Sequence, residues 1–198
     1  AESLAEVEEG GLIIERNLAR AAELIGGFKQ LAVDQTSYQR RVFALHDVAQ
    51  EIAITMRPAL RKTPFELRTD IPPDLVLDSF PGPLGQVLIN LVNNAIIHAF
   101  EGRERGSITL HAAPAEAGWL DLIVSDDGIG IDEPNRQKVF DPFFTTKLGK
   151  GGSGLGLHVT YTLVTSLLGG RIELRSPPGQ GSDFVLHLPR VAPTGANA

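Results

Sequence analysis

The chain contains no cysteine, which excludes disulfides, thiolate metal centres and cysteine nucleophiles. It also lacks an excess of positive charge, since 18 Lys and Arg against 24 Asp and Glu leave a net charge of −6. That balance disfavours non-specific contact with nucleic acid or an anionic membrane, both of which need a basic surface. No apolar run approaches the roughly 20 residues of a membrane-spanning helix. The opening AESLAEVEEG has neither an initiator Met nor a signal-peptide core, so the sequence reads as a piece of something longer. What is present is a 42% hydrophobic fraction over 198 residues, enough to bury the core of one ordinary domain with an appendage. The 21 glycines are unevenly placed, and their positions carry information.

Residues 1–41 contain no proline and have a helical rhythm: Ile14, Leu18, Ala21, Ile25, Phe28 and Ala32 alternate steps of four and three. Two readings stay open, an amphipathic helix lying on its own domain or a dimerisation helix whose partners are missing. Gly26 and Gly27 weaken either helix. From Phe43 the pattern becomes mixed. Asp47, with Gln50 three residues on, reads as an N-cap opening a helix towards Arg61. Short strands are predicted at 65–71 and 75–79 around the turn at Pro72-Pro73, and a helix at about 83–100. Strands follow at 107–113 and 119–125, a helical stretch near 135–139, a helix from the glycines at 149–156 to Leu168, and strands at 171–175 and 183–188. Interspersed helices with hairpin-like strand pairs predict an α/β two-layer sandwich: a mixed sheet with three helices on one face, preceded by the N-terminal amphipathic helix. The boundaries expected are an appendage over 1–41, the domain over 42–190 and a flexible tail over 191–198.

Four features could carry chemistry. Asn90, Asn94 and His98 recur at i, i+4, i+8 and form one row on the helix QVLINLVNNAIIHAF, where a solvated face would carry Lys and Glu. Asn oxygens can ligand Mg²⁺; equally, they could be buried amides satisfied by the backbone. Asn93 points elsewhere on the wheel and reads as structural. Asp126-Asp127-Gly128-Ile129-Gly130 follows a strand directly, so its glycines allow close approach of a ligand and Asp126 could accept from an adenine amino group. An ordinary Asp-Gly turn accounts for the same residues. The run Gly149 to Gly156 opens a helix and offers free N–H groups to phosphate. Gly149 to Gly154 even satisfies G-x-G-x-x-G with Glu173 about 20 residues on, but the preceding DPFFTTK is a poor buried strand and the match comes too late in the chain for a dinucleotide fold. Finally, Phe140 to Lys147 reads as an anchored loop, leaving Lys147 free to reach an anion.

In this order, the Asn helix, DxGxG, FxPFFTTK and GxGLG resemble the N, G1, F and G2 boxes of the sensor histidine-kinase nucleotide-binding domain, from the superfamily shared by gyrase, Hsp90 and MutL. The resemblance covers about residues 43–189. It implies that Asn94 ligands Mg²⁺, that Asn90 supports the triphosphate and that His98 touches phosphate. It further implies that Asp126 takes the adenine amino group and that Gly128 and Gly130 shape the adenine pocket. Phe144, Thr145, Lys147, Gly152, Ser153, Gly154, Leu155 and Gly156 would surround the nucleotide, with Asn90, Asn94 and Lys147 as the catalytic set. Residues 12–41 resemble the second helix of the dimerisation hairpin, and DPFFTTK is similar to the nitrogen-regulator type.

The function implied is transfer of the γ-phosphoryl group of Mg-ATP to a His on a helix absent from this chain. The partners implied are that helix and a response regulator. The parent would be a cytoplasmic homodimer, membrane-anchored or not, with this piece monomeric or domain-swapped. A nucleotide sensor without catalysis, an ATPase and a protein-serine kinase are the alternatives. Asn90 stands where the autonomous ATPases carry a water-activating Glu, and an amide is no general base. Of the five His (46, 98, 111, 158 and 187), only His46 has the acidic follower of an acceptor, Asp47, and it lies at the start of the domain rather than on the hairpin.

Overall fold

The computed structural model describes Gly11, residues 39–147 and residues 152–194. The periodic stretch over 14–32, the remaining residues of the proposed appendage up to 38, and Gly149 with Lys150 lie outside the described residues.

Among the described residues a five-stranded mixed sheet runs in the order β2-β4-β5-β7-β6, where β2 is Phe65–Asp70, β4 Gly106–Pro114, β5 Trp119–Asp126, β6 Arg171–Arg175 and β7 Ser182–Pro189. Only β2 and β4 are parallel, and the other neighbours are antiparallel. Period-2 patterning explains why one face packs: Ile108, Leu110 and Ala112 of β4 and Leu120, Leu122 and Val124 of β5 are buried, while the intervening residues face outward. Three helices cover the buried face, as expected. Helix α1, Leu45–Leu60, contributes Leu45, Val48, Ala49, Ile52 and Met56, one stripe at helical spacing. Helix α2, Pro81–Asn94, buries Leu84, Val87, Leu88, Leu91 and Val92 and starts two residues earlier than expected, with Pro81 in its first turn. It continues as a wider π-helical turn over Ala95–Ala99. A single short turn, α3, spans Glu133–Arg136. Helix α4, Gly156–Thr162, likewise widens into a π-helical turn over Leu163–Leu167.

The structure corrects three expectations. The strands flanking Pro72-Pro73 do not pair with each other. Two prolines remove two donors and favour an extended path, so the chain crosses away: β3, Val76–Ser79, pairs antiparallel with a strand missed in the sequence, β1, Arg41–Ala44, while β2 pairs with β4. Asp47 is not the N-cap. Strand β1 runs straight into α1, Ala44 occupies the cap position without a side-chain bond, and the Leu45 amide donates instead to the Leu75 carbonyl at 2.9 Å. The domain also extends past both expected boundaries. Arg40 forks onto Asp78 at 2.8 and 2.9 Å, and Val191 bridges Asp78 while the Ala192 amide donates to the Asp78 carbonyl at 2.9 Å. Residues 191 and 192 are thus part of the fold, and Ala192 is buried.

Candidate functional site

A cavity of about 730 Å³ opens between α2, the turn after β5, the loop before α4 and the start of α4. The helical row survives folding: Asn90, Asn94 and His98 all line one wall. Gly130 and the pair Ile129 and Ile131 form a second wall, and Phe144, Thr145, Lys147, Gly152, Ser153, Gly154 and Gly156 close the third.

Asn90 has both amide atoms engaged. Its oxygen accepts from Gln86 Nε2 at 2.8 Å, and its nitrogen donates to the Gly156 carbonyl at 3.2 Å, tying α2 to the first residue of α4. Asn94 makes no side-chain hydrogen bond among the described residues, which leaves its amide oxygen at the cavity wall available to a ligand. His98 Nδ1 lies 3.3 Å from Thr146 Oγ1. Burial holds the His98 imidazole below its ordinary range, the Lys147 ammonium adds to that, and Glu101 opposes it. Lys147 ends on the Ile97 carbonyl at 2.8 Å with Glu101 3.4 Å away. The last carbonyls of a helix have no partner within it, so a lysine from the neighbouring loop satisfies one.

Asp126, Gly128 and Leu155 do not line the cavity. Asp126 sits behind its wall, accepting from the Gly128 amide at 2.9 Å and from Ser182. Its pKa is raised, with burial the main cause and the neighbouring Asp127 a lesser one; the bonds from Gly128 and Ser182 oppose the rise. Gly128 lies under the end of the π-helical turn, where a Cβ would fall on the Ala99 carbonyl oxygen. Leu155 is a core residue just before α4 rather than a ligand contact. Asn93, read above as structural, lines the cavity, because the wall is wide enough to take two adjacent rows of α2. Ile97, Glu101 and Thr146 were missed. For the first two, the helical spacing from Asn94 was a usable signal. Asp132 and Asn135 also reach the rim from the α3 turn, with no sequence signal pointing to them. The remaining histidines are structural in their contacts: His46 with the Ile71 carbonyl, His111 with Asp70, His158 with the Phe140 carbonyl, His187 with Asp121.

A helix layer on one face of a mixed sheet, with the cavity set between an Asn-bearing helix and a glycine-rich helix start, defines a two-layer α/β ligand-binding module. Residues 81–192 match the family described as histidine kinase-, DNA gyrase B-, and HSP90-like ATPase, and the chain belongs to it. It is 33% identical over 169 residues to the autoinducer 2 sensor kinase/phosphatase LuxQ of Vibrio vulnificus, covering 82% of this chain and 20% of that protein. To the sensor histidine kinase RcsC of Escherichia coli K12 it is 32% identical over 168 residues, covering 82% and 17%. To the alginate biosynthesis sensor protein KinB of Pseudomonas aeruginosa it is 34% identical over 194 residues, covering 93% and 31%. The chain therefore spans less than a third of the length of these relatives. Among solved structures, the nucleotide-free catalytic domain of histidine kinase ThkA superposes with a TM-score of 0.68 at 28% identity, covering 77% of this chain and 97% of that one. The module is thus of the histidine-kinase catalytic type. Among the described residues no helix is long and apolar enough to cross a membrane.

Proposed function

We propose that the chain holds Mg-ATP with its γ-phosphoryl group presented to a histidine imidazole supplied from outside the described domain, on the dimerisation helix of a homodimeric sensor kinase. The observation that carries this reading is the convergence of Asn94, His98 and Lys147 with Gly152, Ser153, Gly154 and Gly156 on one cavity.

The donor set fits Mg²⁺. Asn94 presents a hard amide oxygen, and no cluster of three His, Cys, Asp or Glu among the described residues could hold a metal alone, as suits an ion that arrives with phosphate and water ligands. When bound, Mg²⁺ supplies charge neutralisation on the phosphates. Lys147 would add positive charge on the same side, leaving the Ile97 carbonyl for a phosphate oxygen. In the transfer, the bond from the γ-phosphorus to the bridging oxygen breaks, a phosphorus–nitrogen bond to the neutral imidazole forms, and ADP leaves with the bridging electron pair. Asn90, with no basic atom and both polar atoms occupied, activates no water, which favours transfer over hydrolysis. Asp126, behind the cavity wall, would take the adenine amino group where the base displaces the side chains in front of it. The phosphoryl group would then pass to an aspartate of a response regulator. The DPFFTTK wording supports the nitrogen-regulator type.

Calorimetric titration with ATP and GTP, with and without Mg²⁺, tests the pocket. Adenine-selective, Mg²⁺-assisted binding is expected, and Asn94→Ala should weaken the Mg²⁺-dependent affinity by at least about tenfold. Full retention of that affinity would remove Asn94 as the ligand. Labelling of an acceptor hairpin supplied in trans, with an acid-labile phosphate, tests the transfer itself.

A further inference from the structure

The turn that carries Asp126 is held from behind by a residue outside all four motifs. The chain leaves the π-helical turn after α2, reverses at Gly102, whose φ is +73°, and brings Arg103 back over the segment 126–130. The Arg103 guanidinium donates from one terminal nitrogen to the Asp127 carbonyl at 2.6 Å and from the other to the Gly128 carbonyl at 3.0 Å. In an extended strand successive carbonyls point to opposite sides. Here two consecutive ones face the same way, an arrangement of repelling dipoles that any cation eases and that a planar two-pronged one fits with two directed bonds. The fork is on backbone although a carboxylate is next to it; one oxygen of Asp127 accepts from the Ser107 amide at 2.8 Å instead. The peptide joining Gly128 and Ile129 is consequently fixed at both ends, its carbonyl by Arg103 and its N–H by the Ala99 carbonyl at 2.8 Å. Its far side, Ile129 to Ile131, is cavity wall.

We infer that Arg103 is a positioning residue for the base end of the nucleotide: it sets the plane of the turn that presents Asp126 and the Ile129–Ile131 wall, and makes no contact with phosphate. The inference rests on the nucleotide reading above.

The test compares ADP, Mg-ATP and Mg-GTP binding by calorimetry in the full chain, Arg103→Ala and Arg103→Lys, with Lys147→Ala alongside and melting curves to confirm that each variant is folded at the titration temperature. Arg103→Ala should weaken ADP and Mg-ATP alike, about several-fold, by the factor to which the released turn leaves its binding-competent position in the free protein, and should narrow the preference for ATP over GTP. Arg103→Lys, which can serve one carbonyl, should fall between. Lys147→Ala should lose more for Mg-ATP than for ADP. Unchanged affinity and selectivity in both Arg103 variants, or a loss confined to Mg-ATP, overturns the inference while leaving the nucleotide site intact. A lowered melting temperature with unchanged binding to the folded variant also overturns it. An unsubstituted chain that binds none of the three nucleotides removes the nucleotide reading itself.

Discussion

Asp126 is a carboxylate kept where its charge is disfavoured. Its pKa is raised, chiefly by burial, so the folded state holds the proton more tightly than the unfolded chain does. The stability this group contributes is therefore fully present below the ordinary aspartate range and is lost as pH rises through its folded pKa. An isosteric amide removes that pH dependence. Relative to the unsubstituted chain, Asp126→Asn should gain in melting temperature as pH rises above the ordinary aspartate range, while adenine selectivity falls. A difference that does not change with pH would mean that the ionised carboxylate is fully compensated by Gly128 and Ser182. The same scale explains which site residues were legible. Asn90, Asn94 and His98 declared themselves because hard polar side chains at helical spacing are out of place on an otherwise apolar helix. Asn93 did not, because an Asn beside another Asn on a helix has an ordinary surface explanation.

At the scale of elements, the binding site is made where backbone approaches backbone. Gly181, with φ +82°, lies against the Asp126 carbonyl so closely that a Cβ would overlap its oxygen. Gly181→Ala has to pull the loop before β7 away from the end of β5 and adopt an unfavourable φ, which should cost about 2–3 kcal/mol. A denaturant midpoint within error of the unsubstituted chain would show that the loop relaxes freely. Both helices that line the cavity, α2 and α4, run on into π-helical turns, Ala95–Ala99 and Leu163–Leu167. The first frees the Ile97 carbonyl that Lys147 occupies and brings the Ala99 carbonyl under the turn after β5. Helix existence was readable from the spacing of apolar residues. The π-helical turns were not, since a one-residue widening leaves the apolar pattern nearly unchanged over five residues.

For the whole molecule, the two-stranded sheet β1–β3 and the segment after β7 join at Asp78, and they do so with residues that look like linkers in the sequence. Ending the chain after Arg190 removes the Ala192 bond to Asp78 and uncovers the site of a side chain that is 1% exposed. That truncation should cost about 1–2 kcal/mol, whereas ending after Thr194 should be neutral in thermal melts. Equal stability of the two would place the boundary at Arg190 after all. The sequence by itself determined that the domain is a mixed α/β sandwich, that four motifs occur in a fixed order, and that a general base is missing at Asn90. These are properties of residue type and local spacing. Only the tertiary structure decided that the strands about Pro72-Pro73 part company, that Leu155 packs into the core while Asn93 lines the cavity, that Lys147 rests on the Ile97 carbonyl, and that Arg103 holds the turn at Asp127 and Gly128. Each of those depends on which distant backbone groups are left unpaired once the sheet and helices have formed, and no local pattern records that.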